Sequence, residues 1–138
     1  MQLLERELGV LLRRARGTWG QLAREVHPDL EPAAYGILAR IADAGDVRLT
    51  DLAAWFGVGK PTMSRQVSQL ERLELIERTP DPDDARAQRV GLTAEGAERV
   101  SRARRARNAH FRERLASWPA SDVRAQADLL HRLTATAD

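Results

Sequence analysis

The chain has 138 residues, a formal net charge of +2 and no cysteine. This length fits a single domain or compact subunit, and the lack of cysteine excludes disulfides, thiolate metal ligands and a cysteine redox switch. No segment resembles a secretory signal or is apolar for long enough to cross a bilayer, so we expect a cytoplasmic protein.

Arginine dominates the basic residues, because Lys60 is the only lysine. The planar donor fork of arginine suits phosphates and guanine edges. A codon bias towards arginine explains the composition equally well. Only the positions of the arginines can separate these two explanations.

Two helices are predicted before residue 46. Residues 2–26 carry an apolar stripe at helical spacing, and the His-Pro-Asp sequence at 27–29 ends it, because a residue before proline avoids helical backbone. Pro32 suits the first turn of a second helix, which ends at the Ala-Gly-Asp sequence at 44–46.

A helix, a tight turn and another helix follow. Thr50 is the expected N-cap of the first, which runs to Phe56 and stops at Gly57. Pro61 suits the first turn of the second helix, predicted over residues 60–73.

The helix predicted over residues 60–73 has two chemically different faces. Its apolar residues recur at helical spacing and are expected to point inward. They are Met63, Val67 and Leu70. The opposite face is polar and carries Thr62, Arg65, Ser68, Gln69 and Arg72. A glycine turn followed by a short helix with such a face is typical of DNA recognition.

Two strands and two helices complete the chain. Residues 75–79 and 89–92 are predicted as a hairpin, because residues 80–85 have turn chemistry. Thr93 is the expected N-cap of a long helix, which ends near residue 115 or 118 before the break at 119. A last helix is expected to begin at Ser121. Its apolar face carries Val123, Ala127, Leu130 and Leu133.

This order of elements predicts a mainly α fold with a small β-wing. It is a winged helix-turn-helix flanked by N- and C-terminal dimerisation helices. We assign residues 1–30 and 115–138 to dimerisation, residues 31–98 to the winged helix-turn-helix DNA-binding region, and residues 94–118 to a long connecting helix. Apolar stripes on the terminal helices would stay partly exposed on so small a domain, so we expect a symmetric homodimer.

The segment from Leu49 to Glu98 resembles the MarR family of bacterial transcriptional regulators. It reads LTDLAAWFGVGKPTMSRQVSQLERLELIERTPDPDDARAQRVGLTAEGAE. It combines an LA-type helix, a G-V turn, a T-x-S-R recognition helix, an L-E-x-x-x-L-I approach to the first strand, an Asp-x-Arg wing and an L-T-x-x-G exit. Ala85 departs from the frequent Asp-Arg-Arg of the wing. The resemblance implies a homodimer that binds a pseudo-palindromic operator on double-stranded DNA and acts as a repressor.

The recognition helix would supply most of the DNA contacts. Arg65 is expected to bond guanine O6 and N7, and Gln69 to read an adenine. The other candidates on this helix are donors near its N-terminus, of which the short ones suit phosphates. They are Lys60, Thr62, Ser64 and Gln66. Arg72 lies beside Glu71 and Glu74, so we expect it to serve as their charge partner.

The wing would add contacts to the adjacent minor groove. Arg86 is expected there or at its phosphates, because the groove's negative potential favours arginine. Asp84 is expected to hold Arg86 or the wing turn by a charge-assisted hydrogen bond. The basic run over residues 99–114 either adds to the electrostatic footprint on DNA or is the solvated face of a long helix.

The resemblance also implies a small phenolic or anionic effector between the dimer helices and the winged region, which would lower DNA affinity. The candidate ligand-binding residues are Trp19, His27, Tyr35 and His110, although residues of these types are more often part of a core or an interface. No cofactor and no metal are expected.

Two other functions stay open. A metal-responsive repressor could use Asp128 and His131, which have helical spacing for two ligands, in a dimer that supplies four. A winged-helix protein-interaction module without DNA binding predicts an acidic or apolar outer face on the helix over residues 60–73. No catalytic motif is present, so we expect no enzyme.

Overall fold

The computed structural model describes residues 1–135 as a mainly helical fold with a small antiparallel sheet. The helices are α1 (Gln2–Val26), α2 (Pro32–Ala44), α3 (Leu49–Trp55), α4 (Lys60–Arg72), α5 (Ala94–Leu115) and α6 (Ala120–Ala135). The strands are β1 (Val47–Arg48), β2 (Ile76–Pro80) and β3 (Gln88–Leu92). The predicted winged helix-turn-helix class is confirmed. Residues 136–138, the end of the expected dimerisation segment 115–138, lie outside the described residues.

The sheet has the strand order β1-β3-β2, so β3 is central and antiparallel to both neighbours. Val90 on β3 pairs with Val47 on one side and with Arg78 on the other. The hairpin predicted from the sequence therefore accounts for β2 and β3 but not for β1. A strand of two residues has no alternation to detect, and β1 is defined by its distant partner on β3.

The helix boundaries follow the local signals in most places. Thr93 caps α5, since its Oγ1 accepts a hydrogen bond of 2.9 Å from the N–H of Gly96. Two N-cap predictions are wrong. Thr50 lies inside α3, because β1 leads directly into that helix and places Arg48 at its N-cap. Ser121 lies inside α6, which already begins at residue 120.

The chain forms two compact units, residues 1–104 and 105–138. The first unit encloses a core to which α1 to α5 and the sheet contribute. The predicted inner face of α4 is confirmed, because Met63, Val67 and Leu70 are 0%, 0% and 1% exposed. This buried face holds α4 against the core and leaves its polar face outside.

The described part of the second unit, residues 105–135, contains no buried residue. It comprises the end of α5 and the whole of α6. The large apolar side chains that it exposes are Phe111, Trp118, Val123, Leu129, Leu130 and Leu133. Within residues 1–135, no helix is both long and apolar enough to span a membrane.

Candidate DNA interface

The outer face of α4 presents a row of polar side chains to solvent. Arg65, Gln69 and Arg72 follow one another at helical spacing, and all three are exposed. This face also lines a broad open concavity of about 990 Å³. The row, which we call the outer stripe, can donate hydrogen bonds to an elongated ligand.

A tight turn sets the start of α4. Gly57 has φ +64°, a backbone conformation that glycine adopts without steric cost, and Gly59 is the N-cap. Lys60 is exposed and Thr62 is half-buried at this end. The first backbone N–H groups of a helix have no partner within it, so this end can bind a phosphate.

Ser64 and Gln66, the other candidates on α4, are half-buried. Ser64 faces the protein: its Oγ accepts a hydrogen bond of 3.3 Å from Arg78 Nη1, and its carbonyl oxygen accepts one of 2.9 Å from Arg78 Nη2. The phosphate contact expected of Ser64 stays a prediction, and in this structure Ser64 is bonded to Arg78 of strand β2.

Arg78 is a central residue of this interface that the sequence did not indicate. Besides its bonds to Ser64, it donates 2.7 Å to Ser68 Oγ, 2.9 Å to Glu71 Oε2 and 3.2 Å to Gln88 Oε1. The expected ion pair of Arg72 with Glu71 or Glu74 is not found among the described residues, and Glu71 Oε2 binds Arg78. The partners lie seven to fourteen positions away along the chain, so no local pattern in the sequence indicated this cluster.

Asp81 organises the base of the wing and was also missed. Its carboxylate is buried and accepts 2.7 Å from Arg48 Nε and 3.4 Å from Arg89 Nη1. It also accepts backbone N–H bonds of 2.9 Å from Asp83 and 3.2 Å from Asp84. The hydrogen bond from Arg48, followed by that from the Asp83 N–H, lowers the pKa of Asp81 to about 2.

The tip of the wing exposes Arg86. Asp84 Oδ1 accepts a bond of 3.0 Å from the backbone N–H of Arg86, so Asp84 closes the turn. Among the residues that the structure describes, none forms a hydrogen bond or ion pair with the Arg86 guanidinium. The wing therefore carries an available cation on a turn that Asp81 anchors.

Two arginines in the first part of the basic run over residues 99–114 bind other helices. Arg99 donates 3.1 Å to the carbonyl oxygen of Val26, at the end of α1. Arg104 donates 2.9 Å to the carbonyl oxygen of Ala39 and pairs with Asp43 at 2.9 Å. These contacts attach α5 to the C-terminal parts of α1 and α2.

Two of the four candidate ligand residues lie together. Trp19 and Tyr35 meet edge to face with ring centroids 6.3 Å apart, and the Tyr35 hydroxyl is buried without a hydrogen-bond partner among the described residues. His27 Nδ1 accepts a bond of 3.1 Å from the N–H of Asp29 in the following turn. His110 is exposed on α5 in the second unit.

The described residues include no group of three or more histidine, aspartate or glutamate side chains placed to hold a metal ion. Asp128 and His131, the pair considered for a metal, are both exposed on α6.

Comparison with known proteins points to one family. The model of the MarR family matches residues 29–87. The HTH-type transcriptional regulator YxaD of Bacillus subtilis is 29% identical over 133 residues, covering 96% of this chain and 92% of YxaD. The HTH-type transcriptional regulator Mb0904 of Mycobacterium bovis is 35% identical over 96 residues, covering 67% of each chain.

A solved structure shares the fold over nearly the whole chain. The crystal structure of FabT from Streptococcus pneumoniae in complex with DNA has a TM-score of 0.85, at 18% identity, and covers 98% of this chain and 95% of that chain. At that identity the likeness concerns the fold alone.

Proposed function

We propose that this chain, which belongs to the MarR family of transcriptional regulators, binds a pseudo-palindromic operator on double-stranded DNA as a symmetric dimer and represses transcription. Two observations carry the proposal: the exposed outer stripe of α4, and the wing-tip Arg86, whose guanidinium has no partner among the described residues. A FabT protein with the same fold has been crystallised with DNA, which supports the proposal.

The outer stripe fits the major groove. Arg65 can bond guanine O6 and N7 with its two-nitrogen fork, and Gln69 can bond adenine N6 and N7. Lys60 and the N-terminus of α4 suit the phosphates that flank the groove. Arg86 would reach the neighbouring minor groove or its phosphates.

A second copy of the chain would complete the molecule. On α1, Leu4 and Leu11 are about half exposed, at 52% and 50%. On α6, Leu130 and Leu133 are exposed as well. Pairing across a two-fold axis would bury such surfaces and would place two α4 helices on half-sites about 10 base pairs apart.

Regulation by a small phenolic or anionic effector is part of the proposal. Support comes from the Tyr35 hydroxyl beside Trp19, which is buried and has no hydrogen-bond partner among the described residues, since a hydroxyl in that state can still form a hydrogen bond. An effector that binds the protein away from DNA more tightly would shift it off the operator.

The test is selection of duplexes from a random library with purified protein, followed by titration of the selected duplex against salt. We expect an enriched pseudo-palindrome and an affinity that falls steeply with salt. Weak binding without enrichment would overturn the proposal and would favour the protein-interaction module, whose partner would then contact the outer stripe.

A further inference from the structure

We propose that Arg78 is a positioning residue for base recognition, which fixes the rotation of α4 about its own axis and thereby decides which side chains reach the DNA. This inference rests on the proposed function, because it concerns how the same helix reads bases. Arg78 would act through α4 without touching DNA.

The contacts of Arg78 follow one stripe of α4. Ser64, Ser68 and Glu71 are spaced by four and three residues, so they lie above one another on the helix. Each of the three guanidinium nitrogens of Arg78 is engaged there: Nη2 donates to Ser64 O and Ser68 Oγ, Nη1 to Ser64 Oγ, and Nε to Glu71. We call these three residues of α4 the clamped stripe.

The outer stripe is displaced from the clamped stripe by one residue. Arg65, Gln69 and Arg72 each follow a clamped residue, which corresponds to a rotation of about 100° around the helix. A guanidinium is a planar and rigid fork, so several bonds from it fix both the rotation and the axial position of what it holds. The direction of the outer stripe is therefore tied to Arg78.

The other end of the clamp is the wing. Arg78 belongs to β2, and its Nη1 also donates 3.2 Å to Gln88 Oε1 on β3. These two strands are paired from Ile76–Leu92 to Pro80–Gln88, and the turn between them carries Arg86. One side chain thus links the helix that would enter the major groove to the sheet whose tip would enter the minor groove.

The positive charge of Arg78 is already paired with a carboxylate inside the protein. Its side chain is 17% exposed and pairs with Glu71 at 2.9 Å. A phosphate contact would require it to leave that partner. Loss of the clamp should therefore reduce discrimination between sequences and leave the general attraction to DNA unchanged.

The experiment compares the parent protein with Arg78→Lys, which keeps the charge and loses the fork. Arg102→Lys is the matched control, because Arg102 is 68% exposed on α5 and, within residues 1–135, makes only a loose pair with Glu98 at 3.9 Å. For each protein, dissociation constants are measured on the selected duplex, on duplexes with single base-pair changes, and on an unrelated duplex at several salt concentrations. Thermal unfolding is recorded alongside.

We expect Arg78→Lys to lower the ratio of selected to substituted duplex affinity by about tenfold, the scale of one lost base contact. Its affinity for the unrelated duplex and its salt slope should match those of the parent. Arg102→Lys should match the parent throughout. Adding Ser68→Ala to Arg78→Lys should cost less discrimination than Ser68→Ala costs in the parent, because both changes open the same clamp.

Three results would overturn the inference. The first is an unchanged affinity ratio in Arg78→Lys, even with a lower unfolding temperature, since Arg78 would then be structural only. The second is a uniform loss on all duplexes with Arg78→Met, with a salt slope smaller by about one, since Arg78 would then contact a phosphate. The third is a parent protein that prefers no duplex, which would remove the proposed function as well and is thereby distinguishable from the other two.

If Arg78→Lys does not fold, the same ratio measured with Ser68→Ala and with Glu71→Gln decides the matter. An affinity ratio equal to that of the parent in both variants would contradict the inference. A reduced affinity ratio in either variant would support it.

Discussion

The two units of the chain differ in how far their apolar side chains are buried. Residues 1–104 enclose a core in which Leu38, Met63, Val67 and Val90 are completely buried. In residues 105–135, which include α6, no residue is buried, although large apolar side chains are present. The comparison suggests that the helix and wing proposed to read DNA are positioned by the chain's own packing. In residues 105–135 the large apolar side chains are left exposed, and we propose that a second copy of the chain covers them.

The largest effect is expected on dimerisation, when exposed leucines of the second unit are replaced by glutamate. Leu130→Glu with Leu133→Glu on α6 should abolish dimerisation, because each buried leucine contributes about 1.5–3 kcal/mol and a buried carboxylate opposes association. Analytical ultracentrifugation should show monomers. The affinity for a two-site operator should fall at least about a hundredfold, because the two half-sites are no longer bound by one linked molecule.

The control for that prediction is Gln126→Glu, which adds a carboxylate at an exposed polar position of the same helix. A dimer that survives the leucine changes would show that the exposed face of α6 is not the pairing surface. The contrast between the two units would then need another explanation.

A smaller effect, on discrimination between base pairs, is expected from a substitution in the outer stripe. Arg65→Ala should cost about 1–3 kcal/mol of discrimination at one base pair, because a bidentate contact to guanine is lost. Thermal unfolding should not change, since Arg65 is exposed. Competition binding with single-substituted duplexes measures the effect. Equal preference in variant and parent would remove Arg65 from base reading.

Asp81→Asn should loosen the wing and lower the midpoint of thermal unfolding by several degrees, because Arg48 and Arg89 lose their carboxylate partner. Asp83→Asn is the control, since the Asp83 side chain is exposed and only its backbone N–H binds Asp81. Circular dichroism at increasing temperature measures both variants. Equal midpoints in the two variants would show that the buried carboxylate does not anchor the wing.

The same carboxylate predicts a pH dependence. The pKa of Asp81 is lowered to about 2 in the folded protein, below an unfolded value of about 3.9. Its contribution is therefore fully present above the unfolded value and is lost as the pH falls through the folded value. The stability difference between parent and Asp81→Asn should be constant from pH 7 to about pH 5 and should shrink towards pH 2. A difference that shrinks near neutral pH would contradict this assignment.

The smallest expected effect is a change in the free energy of unfolding, and it concerns the turn between α4 and β2. Glu74 has φ +58°, a left-handed conformation that costs a residue with a Cβ about 1–2 kcal/mol. Glu74→Gly should stabilise the first unit by about 1 kcal/mol, after allowance for the greater freedom of glycine in the unfolded chain. Urea denaturation measures the change.

Gly45 allows the opposite substitution, from glycine to a residue with a Cβ. It has φ +75°, and the space around an added Cβ is open. Gly45→Ala should destabilise by about 1–3 kcal/mol, because φ +75° with ψ −154° is a backbone region open almost only to glycine. The same sign of change in both variants would show that backbone conformation is not the cause.

Features with local causes could be predicted from the sequence. The spacing of Met63, Val67 and Leu70 indicated the inner face of α4, and this indirectly indicated the outer stripe. Proline at residue 32 and glycine at residue 45 marked the ends of α2, because each has a backbone requirement that acts within a few residues.

Features that depend on distant partners could not be predicted. Strand β1 exists through its pairing with β3, more than forty residues later. Asp81 looked like an ordinary turn residue, and its partner Arg48 lies 33 positions earlier. The bonds from Arg78 to α4 depend on how the turn at Glu74 folds β2 back along that helix. Helical periodicity contains no information on such contacts.

The most direct measurement is the ratio of affinities for the selected duplex and an unrelated duplex of equal length, at one fixed salt concentration. A regulator that reads bases with the outer stripe of α4 should prefer the selected duplex by at least about a thousandfold, with two chains bound to each duplex. A ratio near one, whatever the absolute affinity, would contradict sequence recognition by this helix.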